Sequence, residues 1–236
     1  MTTVYDTILT HCEHQNKMLA VLLDPDKPWA ATAEQLQEAD FIFLGGSTGK
    51  ITDEHIQKVR NLAHCPLVLF PGNTDQFNAN ADALLMLSLL NSTDSQWLIG
   101  QHIRAAHAIQ DSGIEVIPMG YILVDGGSAS SVARISHARP VAQHQIETVV
   151  NMAIAAELIG KKTVYLEAGS GASTPVSPAI IRAVRQAIHI PLIVGGGICT
   201  TEALRQAYDA GADLVVIGNF FEQHSELIPT FCHVRG

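Results

Sequence analysis

The stretch TVYLEAGSGASTPVSPAIIRAVRQAIHIPLIVGGG, residues 163–197, reads as one structural unit. Its first run, TVYLEAG (163–169), is hydrophobic at consecutive rather than alternating positions, the pattern of a strand covered on both faces. Ile180, Ile181, Val184 and Ile188 then recur at spacings of three and four behind prolines, which predicts an amphipathic helix. A second continuous run, PLIVGGG (191–197), completes a strand–helix–strand unit of the kind that builds parallel sheets.

The same alternation extends in both directions. MLAVLL (18–23), FIFLGG (41–46), PLVLFPG (66–72), ALLMLSLLN (83–91) and IEVIPMGYILV (114–124) precede the unit, and DLVVIGN (213–219) follows it, making eight runs. Between the last two, TTEALRQAYDAGA offers Thr200 or Thr201 as a cap, an apolar stripe of Ala203, Leu204 and Ala207, and Gly211 as a stop. Eight such units in 236 residues predict an α/β chain folded as a (β/α)8 TIM barrel, with an open doubly wound sheet as the alternative. The segment NTDQFNANAD (73–82) is too polar for a good helix and is expected to be a loop that replaces or shortens the third helix.

Composition bounds the rest. With 47% hydrophobic and 16% charged residues, the chain is expected to bury one core as a single barrel domain over residues 1–236. A formal net charge of -9 argues against nucleic acid or an anionic membrane surface as a partner. Cys12, Cys65, Cys199 and Cys232 form no CxxC pair, which fits a reducing, cytoplasmic setting. MLAVLL is too short to span a bilayer, so no integral membrane segment or targeting segment is expected.

In a parallel barrel the functional loops follow the strands. Three of them, EAGSG, GGGI and GNFF, put glycines where backbone N–H groups can approach a phosphate, each ahead of a helical pattern. A single such glycine loop would read as a tight turn. Asp24 in LLDPDK follows a strand directly and suits Mg²⁺, with the Ser47 hydroxyl as a second contact; a lone Asp there would read as a turn residue or helix cap. Glu167 is expected near the end of its strand, facing either the barrel mouth or the helices, where burial would raise its pKa and suit it as a general base, and Tyr165 shares its strand face by the two-residue period.

Other signals have plainer readings. HCEH (11–14) lacks a second cluster and reads as a solvated helix face, while His102 and His107 fall on different faces of any helix. DGGSAS (125–130) reads equally as a ligand loop at Asp125 or as a helix entry capped by Ser128 or Ser130. Lys161 and Lys162 precede the sixth strand, on the stability face, which speaks against a Schiff-base aldolase.

The ordered motifs LLDPDK, FLGGSTG, FPGN, LLNS with WLIG, IPMGYILV, YLEAGSG, IVGGGI and VIGN span nearly the whole chain and resemble the geranylgeranylglyceryl phosphate synthase, or PcrB-like, family. The likeness is nearer to its archaeal and Bacteroidetes-type branch than to the Firmicutes heptaprenyl branch. It implies a (β/α)8 barrel that joins the C3 hydroxyl of sn-glycerol 1-phosphate to a polyprenyl diphosphate, most simply the geranylgeranyl donor, releasing diphosphate with Mg²⁺ required. Carried over motif by motif, Asp24 and Ser47 resemble the Mg²⁺ contacts. Tyr165, Leu166, Glu167, Ala168, Gly169, Ser170 and Gly171, with Gly196, Gly197, Gly218 and Asn219, resemble the glycerol-phosphate site, Glu167 deprotonating the attacking hydroxyl. Trp97, a large ring beside aliphatic strands, is expected to wall the prenyl groove and limit donor length, or else to pack in the core. The resemblance also implies a homo-oligomer. Competing readings are a synthase for a longer donor, another phosphate-binding barrel such as an isomerase or aldolase, and a binding protein that kept the phosphate site.

Overall fold

The computed structural model describes residues 2–128 and 130–235. Eight strands form: β1 (Met18–Leu23), β2 (Phe41–Leu44), β3 (Leu67–Leu69), β4 (Ala83–Leu89), β5 (Glu115–Leu123), β6 (Thr163–Glu167), β7 (Leu192–Gly195) and β8 (Leu214–Ile217). They pair in sequence order, and β1 closes on β8 in parallel register from Met18↔Leu214 to Val21↔Ile217, so the sheet is a closed barrel. The open-sheet alternative is thereby excluded.

Strand alternation divides the core into two layers. Phe41, Phe43, Val68, Leu85, Met119 and Tyr165 fill the barrel, whereas Leu19, Ile42, Leu67, Leu166 and Val194 face the helices. The continuous hydrophobic runs are thus explained, since both faces of every strand meet apolar partners. The helix Val4–Glu13 adds Val4 and Ile8 to the inner layer, and its first N–H groups are held by Glu115, whose carboxylate accepts from Val4 at 2.7 Å and Tyr5 at 3.0 Å.

The crossover that follows β6 starts its helix, Pro178–Ala187, at the Ser177 cap, and the next helix, Thr201–Asp209, starts at Thr200. Gly211 lies in the left-handed region at φ 111°, as a helix stop requires. Residues 73–82 contain only a 3-10 turn, Thr74–Gln76, in place of a third helix. That turn delivers Gln76, fully buried, into the β2 and β3 loops, where its Oε1 accepts from Gly72 at 2.9 Å and Gly46 at 3.3 Å and its Nε2 donates to the Thr48 carbonyl. Between Asp125 and Ser130, the helix-entry reading holds: Ser130 caps Ser131–Ser136, while Asp125 is exposed and accepts from the N–H of Gly127. No helix among the described residues is long and apolar enough to cross a membrane.

Candidate active site

A cavity of about 630 Å³ opens among the C-terminal ends of the strands, lined from Leu22 and Asp24 after β1 round to Asn219 and Glu222 after β8. One corner is polar. Glu167 and Tyr165 both project into it from β6, as the two-residue period requires. Glu167 is only 7% exposed. Burial pushes its carboxyl up to about 7, although the Gly169 N–H, donating to Oε1 at 2.6 Å, and the Tyr165 hydroxyl both favour the charged form. Tyr165 stacks on Tyr121 at 5.2 Å and packs on Phe70 at 5.2 Å, and burial next to Glu167 holds both phenols well above their usual range. The result is a protonated hydroxyl fixed beside a carboxyl group that titrates near neutrality.

The glycines after β7 make room for this pair. A Cβ on Gly195 would sit 2.0 Å from the Tyr165 hydroxyl, and one on Gly196, at φ 82°, would sit 2.3 Å from Glu167 Oε1. Ser170, Gly171, Gly196, Gly197 and Asn219 line the same cavity, and their N–H groups donate to no protein acceptor among the described residues. Five such donors beside a cavity suit an anion with several oxygens. The helix that follows β8, Asn219–Gln223, is little more than one turn, so any field there comes from individual N–H groups rather than from a long dipole.

Asp24 and Ser47 meet at the same mouth. Asp24 Oδ1 accepts from the Asp26 N–H at 3.0 Å, and a Cβ on Gly46 would lie 2.8 Å from that oxygen, so the carboxylate packs directly against the loop carrying Ser47. No group of three or more His, Cys, Asp or Glu side chains is placed to hold a metal among the described residues. The available donors are therefore few and all oxygen, a set that suits Mg²⁺ completed by substrate phosphates and water, not a self-sufficient protein site. Lys27 was not singled out by sequence reading, yet it joins the two ends of the mouth. Its Nζ donates to Asn219 Oδ1 at 3.0 Å and to Glu222 at 2.8 Å, and lies 3.8 Å from Asp24. Only barrel closure brings residue 27 against residues 219 and 222.

The other end of the cavity is apolar, with Phe77, Leu87, Trp97, Ile109 and Val132 in its wall. Leu84 and Met86, on the outer face of β4, also line it, because residues 73–82 supply no helix to cover that face. Trp97 projects from the π-helical turn Gln96–Gly100, which leads into the helix Gln101–Ser112. Among the expected site residues, Leu166 and Ala168 do not reach the cavity: both are buried in the layer between barrel and helices, since position 166 points outward from β6. Gly169 does not line it either and acts through its N–H on Glu167. Lys161 and Lys162 are likewise outside it.

These features define a (β/α)8-barrel enzyme whose C-terminal face joins an anion-suited polar corner, with a buried acid, to a long apolar trough. The chain matches the PcrB family over residues 12–234 and belongs to it. It is 44% identical to the geranylgeranylglyceryl phosphate synthase of Zunongwangia profunda over 94% of this chain and 98% of that one. It is 42% identical to the synthase of the same name from Spirosoma linguale, over 92% of this chain and 91% of that one. Among solved structures it superposes on (S)-3-O-geranylgeranylglyceryl phosphate synthase from Thermoplasma acidophilum in complex with sn-glycerol-1-phosphate, with a TM-score of 0.91, 33% identity and coverage of 99% and 98% of the two chains.

Proposed function

We propose that this protein is a geranylgeranylglyceryl phosphate synthase, a prenyltransferase that joins sn-glycerol 1-phosphate to geranylgeranyl diphosphate. The observation that carries the reading is Glu167, buried with Tyr165 where the polar corner meets the apolar trough, in a chain of the PcrB family. The glycerol phosphate rests on the unpaired N–H groups of Ser170, Gly171, Gly196, Gly197 and Asn219. Glu167 takes the proton of the C3 hydroxyl as its oxygen bonds to the first carbon of the prenyl chain, and the bond from that carbon to the diphosphate breaks. Tyr165 orients the carboxylate, and the packed aromatic cluster behind it excludes water. Asp24 and Ser47 would hold Mg²⁺, which would neutralise the negative charge growing on the leaving diphosphate.

Incubation with Mg²⁺, radiolabelled sn-glycerol 1-phosphate and a ladder of prenyl diphosphates is expected to yield an organic-soluble phosphate ether. No such product with any donor rejects the reading. Chelation of the metal is expected to abolish product, and an unchanged rate in chelator removes Asp24 and Ser47 from the metal role.

Trp97 at the trough wall supports a donor of limited length over the longer-donor reading. Trp97→Ala is expected to shift preference among fifteen-, twenty- and thirty-five-carbon donors towards the longest. Kinetics with each donor measure it, and unchanged preference assigns Trp97 to core packing. Cytoplasmic location and assembly as a homo-oligomer belong to the same proposal; four cysteines outside any disulfide among the described residues support the first, and exposed Leu158 and Ile159 the second.

A further inference from the structure

Beside the apolar trough lie three polar side chains, Ser88, Lys161 and His102, the last of which also lines the cavity. Ser88, buried on the outer face of β4, donates its hydroxyl to the Leu98 carbonyl at 2.9 Å and accepts from Lys161 Nζ at 2.6 Å. Lys161 leads into β6, so its side chain reaches across β5, where the residue paired with Ser88 is Gly120. Half-buried, the ammonium has no carboxylate within salt-bridge distance among the described residues, and burial lowers its pKa. From the helix Gln101–Ser112, His102 Nε2 lies 2.6 Å from the carbonyl of Leu87, the residue before Ser88. A carbonyl can only accept, so that nitrogen carries the proton.

These groups converge on the turn that carries Trp97. Within Gln96–Gly100 the helical winding is widened, the N–H of Gln101 reaching back to the Gln96 carbonyl. Such π-turns are costlier than α-helix and persist where outside contacts hold them. One contact is Asp94 Oδ1, which accepts the Gln96 N–H at 2.8 Å, and the other is Ser88 on Leu98. Trp97 lies between those two anchored residues.

We propose that the chain Lys161–Ser88–Leu98, with His102 on the neighbouring carbonyl, is a positioning device that fixes Trp97 at the trough wall and thereby sets donor length. The proposal rests on the reading of Trp97 as that wall. A bond from a charged donor is stronger than a neutral one and polarises the hydroxyl that receives it, so the lysine tightens the Ser88 hold on Leu98. Without it the turn relaxes towards α-helical winding and Trp97 leaves the wall. Ser88, Lys161 and His102 are positioning residues.

The test compares kcat/KM for twenty-five- and twenty-carbon prenyl diphosphates in the wild type, Ser88→Ala, Lys161→Met and Trp97→Ala. Both donors are assayed on one preparation, so partial unfolding cancels from the ratio and a merely structural role leaves it unmoved. Loss of one hydrogen bond of ordinary strength predicts a rise in the longer-to-shorter ratio of about 3- to 10-fold in Ser88→Ala and Lys161→Met. The double variant Trp97→Ala/Ser88→Ala is expected to match Trp97→Ala alone. Wild-type ratios in Ser88→Ala and Lys161→Met, with a raised ratio in Trp97→Ala, overturn the positioning role while leaving the trough reading intact. An unmoved ratio in Trp97→Ala removes the wall itself, and the device with it.

Discussion

Glu167→Gln is expected to lower kcat by about a thousandfold, the loss typical of a removed general base, while the binding of sn-glycerol 1-phosphate measured by calorimetry stays within a few-fold of wild type. The amide keeps the shape of the side chain but cannot take the hydroxyl proton. In the wild type, kcat/KM should rise with pH and level off above about 7, because the carboxyl of the free enzyme, pushed up to about 7 by burial, must be ionised to act. A pH profile flat from 5 to 9, or a normal rate in the variant, removes Glu167 from proton transfer.

The same group makes a prediction about stability, with the opposite pH preference. In the unfolded chain this carboxyl has its ordinary value of 4.5, and in the fold it is raised to about 7. Below the lower value both states bind the proton and the fold carries no penalty. As pH rises from 4.5 to about 7 the unfolded chain releases this proton while the buried carboxyl keeps it, and wild-type stability falls by about 3 kcal/mol from this residue alone, levelling off above about 7. Glu167→Gln escapes that loss. Denaturant melts should therefore show the variant equal to or less stable than wild type near pH 4, where it gives up only the charged acceptor for Gly169, and more stable at pH 8 to 9. An enzyme made more stable by losing its base would show directly what the site costs the fold.

Gly196→Ala is the second large effect, and its pattern should differ. The new methyl would lie 2.3 Å from Glu167 Oε1 and under 3 Å from the N–H groups of Ala168 and Gly169, on a residue held at φ 82°. Backbone cannot give way as a flexible side chain would, so the β6 loop and the carboxylate must both move. Strain at a positive φ together with overpacking predicts a loss of about 2–4 kcal/mol of stability, and displacement of the base predicts at least about a hundredfold loss of activity. Unlike Glu167→Gln, this variant should also lose affinity for the glycerol phosphate, because the N–H groups of the cradle move with the loop. Near-normal turnover and affinity in Gly196→Ala would show that the GGGI loop has slack that the packing around Glu167 does not suggest.

These two substitutions divide what was legible in the chain. The identity of Glu167 as a buried acid at a strand end followed from its position in TVYLEAG, as did its sharing a face with Tyr165. The purpose of the glycines was only half visible. GGGI reads as a phosphate loop from sequence, but contact distances show that Gly195 and Gly196 first make space for Tyr165 and Glu167. Leu166 and Ala168, carried into the site by motif, turn out to face the helices, because contiguity in a motif does not override the alternation of a strand.

Eight continuous hydrophobic runs with amphipathic segments between them determined an alternating α/β chain with a parallel sheet, barrel or open, and the polar segment 73–82 determined where a helix is missing, since hydrophobic periodicity and turn chemistry are properties of neighbouring residues. What only the tertiary structure decided lies between residues far apart in the chain. Lys27 reaches Asn219 and Glu222 because β1 pairs with β8, Leu84 and Met86 on the uncovered face of β4 join the same cavity as the strand-end residues, and Lys161 finds Ser88 across β5. Those contacts are set by closure and stagger of the barrel, which no local pattern encodes.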